Sequence, residues 1–233
     1  MNMNYSIGFF EQLMVKFCHD LAGPIGAVAN GLELMEDLGE NVESEIFKLV
    51  RQSSSTVSYR LRYFRMAYGV MGADDQLIGL GEIKPVVENY YSGEKVQFTW
   101  GIDSNVSALP VSAVKLILNL LLVANGCLLR AGEIVLGLEK HGSDQLVITL
   151  TVQGPGVLVP PHYEQVWNDQ ASGSLDQKSV QALFIKHLAH QYNAKFTYHL
   201  LKEGEGDRLT APTHQFDKSE AVRLQLTLAA VTE

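Results

Sequence analysis

Apolar residues in the first 71 positions recur at gaps of three and four: Phe10, Met14, Phe17, Leu21, Pro24 or Ile25, Val28, Leu32 and Met35. The same spacing returns at Ile46, Leu49 or Val50, Ser53, Val57, Leu61, Phe64, Tyr68 and Met71. Each set lines one face of a helix. The Gly-containing stretch Asp37 to Asn41 between them supplies a turn, so the chain is expected to open as two long antiparallel helices. A lone hairpin with these seams leaves much of its apolar surface in water. The pattern therefore predicts a homodimer in which two hairpins complete a four-helix bundle.

The first helix carries the run Phe17-Cys18-His19-Asp20-Leu21-Ala22-Gly23-Pro24-Ile25-Gly26. At 100° per residue His19 lies about 200° from the seam residue Phe17 and points to solvent. Gly23, Gly26 and Asn30 fall within about 40° of it, with Ala22 and Ala27 alongside, so the surface beneath the imidazole is cleared of bulk. Two glycines inside a helix each cost on the order of 1 kcal/mol relative to alanine. Pro24 removes the hydrogen bond that would reach back to the Asp20 carbonyl and bends the helix. Such a sequence points to a function, the plain alternative being that another part of the same protein packs closely there.

A neutral imidazole nitrogen can attack phosphorus, and an adjacent carboxylate can hold the ring tautomer or take the proton. His19 and Asp20 are the candidate catalytic pair. Across the hairpin, Arg60, Arg62, Phe64 and Arg65 fall opposite His19 and are candidate contacts for a phosphoryl donor or an acidic partner. The plain alternative is a charged helix face over a buried Phe64.

Residues 69–81 are rich in Gly and Asp and read as a linker. The expected division is a helical hairpin over 1–72, a linker over 73–81 and a second domain over 82–233. The second domain reads as helix 82–91, strand 96–102, helix 111–129 opened by Pro110, and strands 133–139 and 146–152. A helix at 179–191 and strands at 195–201 and 221–230 follow. This is a helix layer on a mixed sheet, and the whole chain is α+β.

A net charge of −8 argues against nucleic acid or an anionic membrane as partner, since both attract clustered Lys and Arg. No stretch reaches the roughly 18 apolar residues of a membrane span. Cys18 and Cys127 lack metal-ligand spacing and fit a reducing, cytoplasmic compartment. His187 and His190, three apart on a helix, could share a face for metal, but no third ligand is evident, which favours a solvated or packing role. Trp167, Tyr90 and Tyr91 are expected in or near the core, and 204–217 reads as a hairpin tip or mobile loop.

His19-Asp20-Leu21-Ala22-Gly23-Pro24-Ile25 resembles the phosphoacceptor box of sensor histidine kinases, and the continuation to Leu34 is similar to the ChpT-type histidine phosphotransferases of alphaproteobacteria. The resemblance implies a dimerisation bundle followed by a degenerate kinase-like ATPase domain, together spanning both halves of the chain. It implies that His19 takes a phosphoryl group from a receiver-domain phosphoaspartate and passes it to response regulators, with a hybrid histidine kinase upstream. Gly23, Gly26, Asn30, Arg62, Phe64 and Arg65 would then form the receiver-docking face. No cofactor is expected in this chain, Mg²⁺ belonging to the receiver. Gly23 stands where bundles with phosphatase action often place Thr or Asn, which weakens the case for hydrolysis.

The family's nucleotide motifs can be followed residue by residue. Its Asn-x-x-x-Asn-Ala segment aligns with Asn119 to Ala124, placing Val123 at the metal-binding Asn. Its Asp-x-Gly-x-Gly segment aligns with Val152 to Gly156, placing Val152 at the adenine-binding Asp. Its last Gly-x-Gly aligns with Ser179-Val180-Gln181. ATP binding is therefore not expected. The competing readings are an active ATP-dependent histidine kinase and a non-catalytic adaptor that binds receivers.

Overall fold

The computed structural model describes residues 7–39, 44–142, 145–170, 177–202 and 220–229. Two long helices, α1 (Ile7–Leu38) and α2 (Ser44–Tyr68), pack as a hairpin. They approach closely at Gly31, where a β-carbon would overlap a Val50 methyl. Only a residue without a side chain lets the backbones meet there.

The predicted seam is partly buried within the single chain, at Phe64 and Leu21, and partly exposed along its length, at Leu32, Leu49 and Leu61 as well as at its start. Phe10 and Met14 remain 53 % and 56 % exposed, whereas Phe9 is buried. Phe9 stacks on Phe184 and packs tilted against His187, at ring-centroid distances of 6.0 and 5.6 Å. The first turn of α1 thus packs on the second half of the chain, an interaction that local periodicity does not encode.

That second half comprises β1 (Leu77–Gly79), α3 (Leu80–Tyr91), β2 (Val96–Ile102), β3 (Ala108–Pro110), α4 (Val111–Gly126), β4 (Gly132–His141) and β5 (Gln145–Gln153). It continues with α5 (Pro161–Trp167), α6 (Val180–Gln191), β6 (Ala194–Lys202) and β7 (Glu220–Ala229). The large sheet has the order β2-β4-β5-β7-β6, with β2 and β4 parallel and the other pairs antiparallel. A helix layer on a mixed sheet, preceded by a helical hairpin, is the α+β architecture expected.

Helix α4 is apolar on nearly all sides, and every described residue from Val111 to Ala124 except Lys115 is buried. Such a helix needs cover on both flanks. It contacts β5 and β7 of the sheet, α6, and α2 of the hairpin. Tyr63 of α2 donates its hydroxyl to the Leu118 carbonyl at 2.6 Å. Leu21, Tyr63, Phe64 and Ala67 of the hairpin belong to the same buried cluster as Leu118, Leu121, Leu136 and Ile148. One hydrophobic core runs through both halves.

The linker is shorter than its composition suggests. Strand β1 lies within 73–81 and pairs with β3, and α3 starts at Leu80 rather than residue 82. The carbonyls of Gln76 and Asp74 accept from the Val111 and Ser112 amides at 2.9 and 3.0 Å. Those are two of the donors that the start of α4 leaves unsatisfied, and Pro110 offers no side-chain cap for them. The polar stretch is thus a cap for the central helix.

Helix α4 ends at Gly126, short of residue 129, and α5 lies between the expected strand 146–152 and helix 179–191, a stretch with no expected element. The two meet closely, because a β-carbon at Gly126 would collide with the Tyr163 side chain of α5. The segment 204–217 lies outside the described residues.

Candidate functional site

His19 stands on the outer face of α1 with its side chain 76 % exposed, and Asp20 beside it is 22 % exposed. His19 Nδ1 lies 3.5 Å from Asp20 Oδ1, longer than a formed hydrogen bond but close enough to orient the ring. The other carboxylate oxygen takes a 2.8 Å contact from Lys16 Nζ, one helical turn back. Asp20 is thereby held by Lys16 on one side and directed at the imidazole on the other. The facing nitrogen, Nε2, is the one left to react outward.

The stripe below His19 is open. Nothing among the described residues comes within 4 Å of a β-carbon built at Gly23 or Gly26, and Asn30 and Ala22 are exposed. The alternative that these small residues accommodate another part of the same chain therefore has no contact to support it among the described residues.

Pro24 lies inside α1, and the Asp20 carbonyl it leaves without a helical donor accepts instead from Arg60 Nη1 of α2. A charged donor on a backbone carbonyl is worth about 1.5–3 kcal/mol. Arg60 Nη2 also meets Glu94 Oε1 at 3.0 Å, a partly exposed pair worth no more than about 1 kcal/mol. Glu94 follows α3, so this arginine ties the proline-bearing turn to the second domain. A cavity of about 350 Å³ opens beside it, with Lys16, Asp20, Arg60, Glu94, Asn125 and Arg130 in its wall.

The four residues expected opposite His19 divide differently. Phe64 is 2 % exposed and packs on Phe17 at 5.2 Å, so it is a core residue and leaves the docking face. Arg62 and Arg65 are exposed, but they line an apolar groove of about 720 Å³ with Leu13, Met14, Phe17 and Leu61. That groove follows the Phe17 side of the hairpin, away from the histidine. The cross-hairpin arginine joined to the His19-Asp20 turn is Arg60. Pro24 is the sequence signal for it, since the missing helical bond requires another donor.

The nucleotide-motif positions are fully buried: Val123, Val152, Asn119 and Gln181 each show 0 % exposure. Asn119 donates its amide to the carbonyls of Ala67 and Lys115, both at 2.9 Å. Its oxygen accepts from Gln181 Nε2 at 3.1 Å, and Gln181 Oε1 accepts from the Tyr68 hydroxyl at 2.7 Å. Burial pushes the Tyr68 phenol up, beyond reach of ordinary titration, so it remains a donor. Positions matching a nucleotide site thus fasten α2 to α4 and α6. Gly156, at φ +73°, serves as a turn residue.

Other candidates resolve simply. Cys127 is buried and its thiol is pushed up to about 12 by desolvation, an unreactive state. No group of three or more His, Cys, Asp or Glu capable of holding a metal occurs among the described residues. Tyr91 is buried, while Tyr90 and Trp167 pack against the core. Among the described residues, no helix is long and apolar enough to cross a membrane.

An exposed histidine with a carboxylate beside it, on a helical hairpin packed against a helix-and-sheet domain, defines a class of protein able to present an imidazole to a partner. The pattern of the family described as "Histidine phosphotransferase C-terminal domain" matches residues 80–204. Protein phosphotransferase ChpT of Brucella abortus (strain 2308) is 33 % identical over 192 residues, covering 82 % of this chain and 90 % of that protein. A bacterial phosphotransferase of known structure superposes with a TM-score of 0.74 at 30 % identity, covering 95 % of this chain and 96 % of the other. The Acinetobacter baumannii histidine kinase AdeS is a remoter likeness, at 12 % identity and a TM-score of 0.49, over 92 % of this chain and 98 % of the other. The chain belongs to the histidine phosphotransferase family.

Proposed function

We propose that the chain relays phosphate in a two-component phosphorelay: a receiver domain bearing phosphoaspartate docks on the open stripe, His19 takes the phosphoryl group, and a response regulator collects it. The observation that carries this reading is His19, exposed above Gly23 and Gly26 and directed by the Asp20 carboxylate. Catalysis lies mainly in alignment, since phosphoryl transfer needs an in-line nucleophile and charge compensation rather than extensive covalent chemistry at the protein. The receiver brings its own acidic pocket and Mg²⁺. A hybrid histidine kinase is the upstream source of phosphate, and this chain brings no cofactor.

The working unit is a homodimer with a four-helix bundle. The groove beside Phe17 and Leu61 and the exposed Phe10, Met14, Leu32, Phe47 and Leu49 form an apolar surface that a second hairpin would cover.

The decisive experiment incubates wild type and His19→Ala with purified phosphorylated receivers, and separately with labelled ATP and Mg²⁺. Label moving from receiver to wild type, absent in His19→Ala, is the expected result. Self-labelling from ATP would establish the kinase reading instead. Receiver binding without label transfer in either protein would establish the adaptor.

A further inference from the structure

We infer that Arg60 is a positioning residue for the transfer step: it replaces the helical bond that Pro24 deletes at Asp20 and, through Glu94, lets the second domain hold the His19-Asp20 turn in register. The inference rests on His19 being the phosphoacceptor and assigns Arg60 a role beyond contact with a partner.

The geometry is a chain of four contacts. Glu94, in the turn after α3, meets Arg60 Nη2, and Arg60 Nη1 donates to the main-chain carbonyl of Asp20. The Asp20 side chain then divides between Lys16 Nζ and His19 Nδ1. A helix carrying an internal proline is free to bend at the freed carbonyl, and a bend there swings both Asp20 and His19. Arg60 closes that freedom from the neighbouring helix. Its Nε is buried without a hydrogen-bond partner, so the guanidinium is held in place by its two Nη contacts and by packing.

The consequence for the chemistry is specific. During transfer the P–O bond of the receiver's acyl phosphate breaks as a bond forms between His19 Nε2 and phosphorus. The electron pair leaves with the receiver's carboxylate. The Nδ1 proton stays on the ring facing Asp20 Oδ1, which compensates the cationic phosphoimidazole as it forms. Nε2 attacks in line only if the ring plane is fixed, and that plane depends on where the Asp20 backbone sits. A displacement of about 1 Å costs a transfer step on the order of 100-fold.

The test is single-turnover transfer from a phosphorylated receiver, measured across receiver concentrations. Arg60→Met is expected to lower the saturating rate about tenfold while the half-saturating receiver concentration stays within about twofold, the split expected of an interaction made only in the transition state. In an Asp20→Asn background, which keeps the main-chain carbonyl but loses the carboxylate, Arg60→Met is expected to cost clearly less than in wild type, because part of its effect runs through the Asp20 side chain. Pro24→Ala restores an amide donor for the Asp20 carbonyl and is expected to return most of the rate to Arg60→Met. Arg60→Lys falls between wild type and Arg60→Met.

A loss confined to the half-saturating concentration would make Arg60 a docking residue and overturn the inference. So would an undiminished loss in the Asp20→Asn background, or no recovery with Pro24→Ala. Should Arg60→Met unfold alone, the double variant with Pro24→Ala is compared with Pro24→Ala, where little loss at saturation is expected; a tenfold loss there would overturn the inference. If wild type accepts no phosphate, or His19→Ala accepts as much, the functional reading itself fails. If wild type transfers, His19→Ala does not, and Arg60→Met matches wild type at saturation, only the positioning role fails.

Discussion

Gln181 donates its side-chain amide to the Asn119 side-chain oxygen at 3.1 Å, with both residues at 0 % exposure. A buried amide must find partners, and these two find each other together with Ala67 and Tyr68 of the hairpin. Gln181→Leu would leave the Asn119 oxygen and the Tyr68 hydroxyl without this partner. The expected loss is about 1–3 kcal/mol in urea unfolding, against roughly 1 kcal/mol for Tyr68→Phe, which removes a single donor. Equal losses for the two variants would contradict the network.

Reinstating the metal-binding amide by Val123→Asn is not expected to bring ATP with it. Val123 is fully buried, so the new amide would lie among apolar side chains and cost about 1–3 kcal/mol. Calorimetric titration with Mg-ATP checks the ligand and thermal melting checks the cost.

Gly23 and Gly26 have open space where a methyl group would sit. Alanine at either position is expected to raise stability by about 0.5–1 kcal/mol through helix propensity alone. A long side chain such as Gly26→Gln should leave the melting temperature at or above wild type while raising the receiver concentration needed for transfer. Unchanged transfer kinetics would remove the stripe from the docking face.

Leu61 is 51 % exposed and lines the groove beside Phe17. With a dimer formed through that groove, light scattering of wild type gives about twice the 25.7 kDa chain mass. Leu61→Glu, burying a charge in the interface, is expected to give the monomer mass.

His187 is half-buried against Phe9, and desolvation, helped by the neighbouring Lys186 and His190 charges, lowers its pKa from the ordinary 6.5. The folded protein therefore binds this proton less readily than the unfolded chain does. Its contribution is complete above about pH 6.5 and is lost as pH falls toward the depressed folded value. The melting temperature should drop on acidification below pH 6.5, and His187→Gln should flatten the drop.

The sequence made the hairpin and most of the sheet legible because both depend on local periodicity. Strands β2, β4, β5, β6 and β7 and helices α3, α4 and α6 lie within a few residues of their expected ends. Strands β1 and β3 escaped notice because each has three residues and owes its existence to the other. Helix α5 did so because its sequence, headed by two prolines, carries turn signals as strong as its helical ones. At the candidate site, the angular reading placed His19 outward and left the stripe clear. Reflection across the hairpin could not separate Arg60 from Arg62 and Arg65, because successive residues on a helix diverge by 100° and a small error in pairing changes which one points inward. Phe9 against Phe184 and Arg60 against Glu94 join residues far apart in sequence, and no spacing rule reports such pairs.

The shared core bears on how the molecule comes apart. Cutting the chain at residue 72, where composition marks a boundary, would strip Tyr63, Phe64 and Ala67 of the neighbours that keep them dry, and would uncover the α4 flank they cover. Hairpin and sheet domain are therefore expected to melt in one cooperative event, and neither fragment inherits a complete interior. The two parts form a single body through this core, and His19 stays on its outer face.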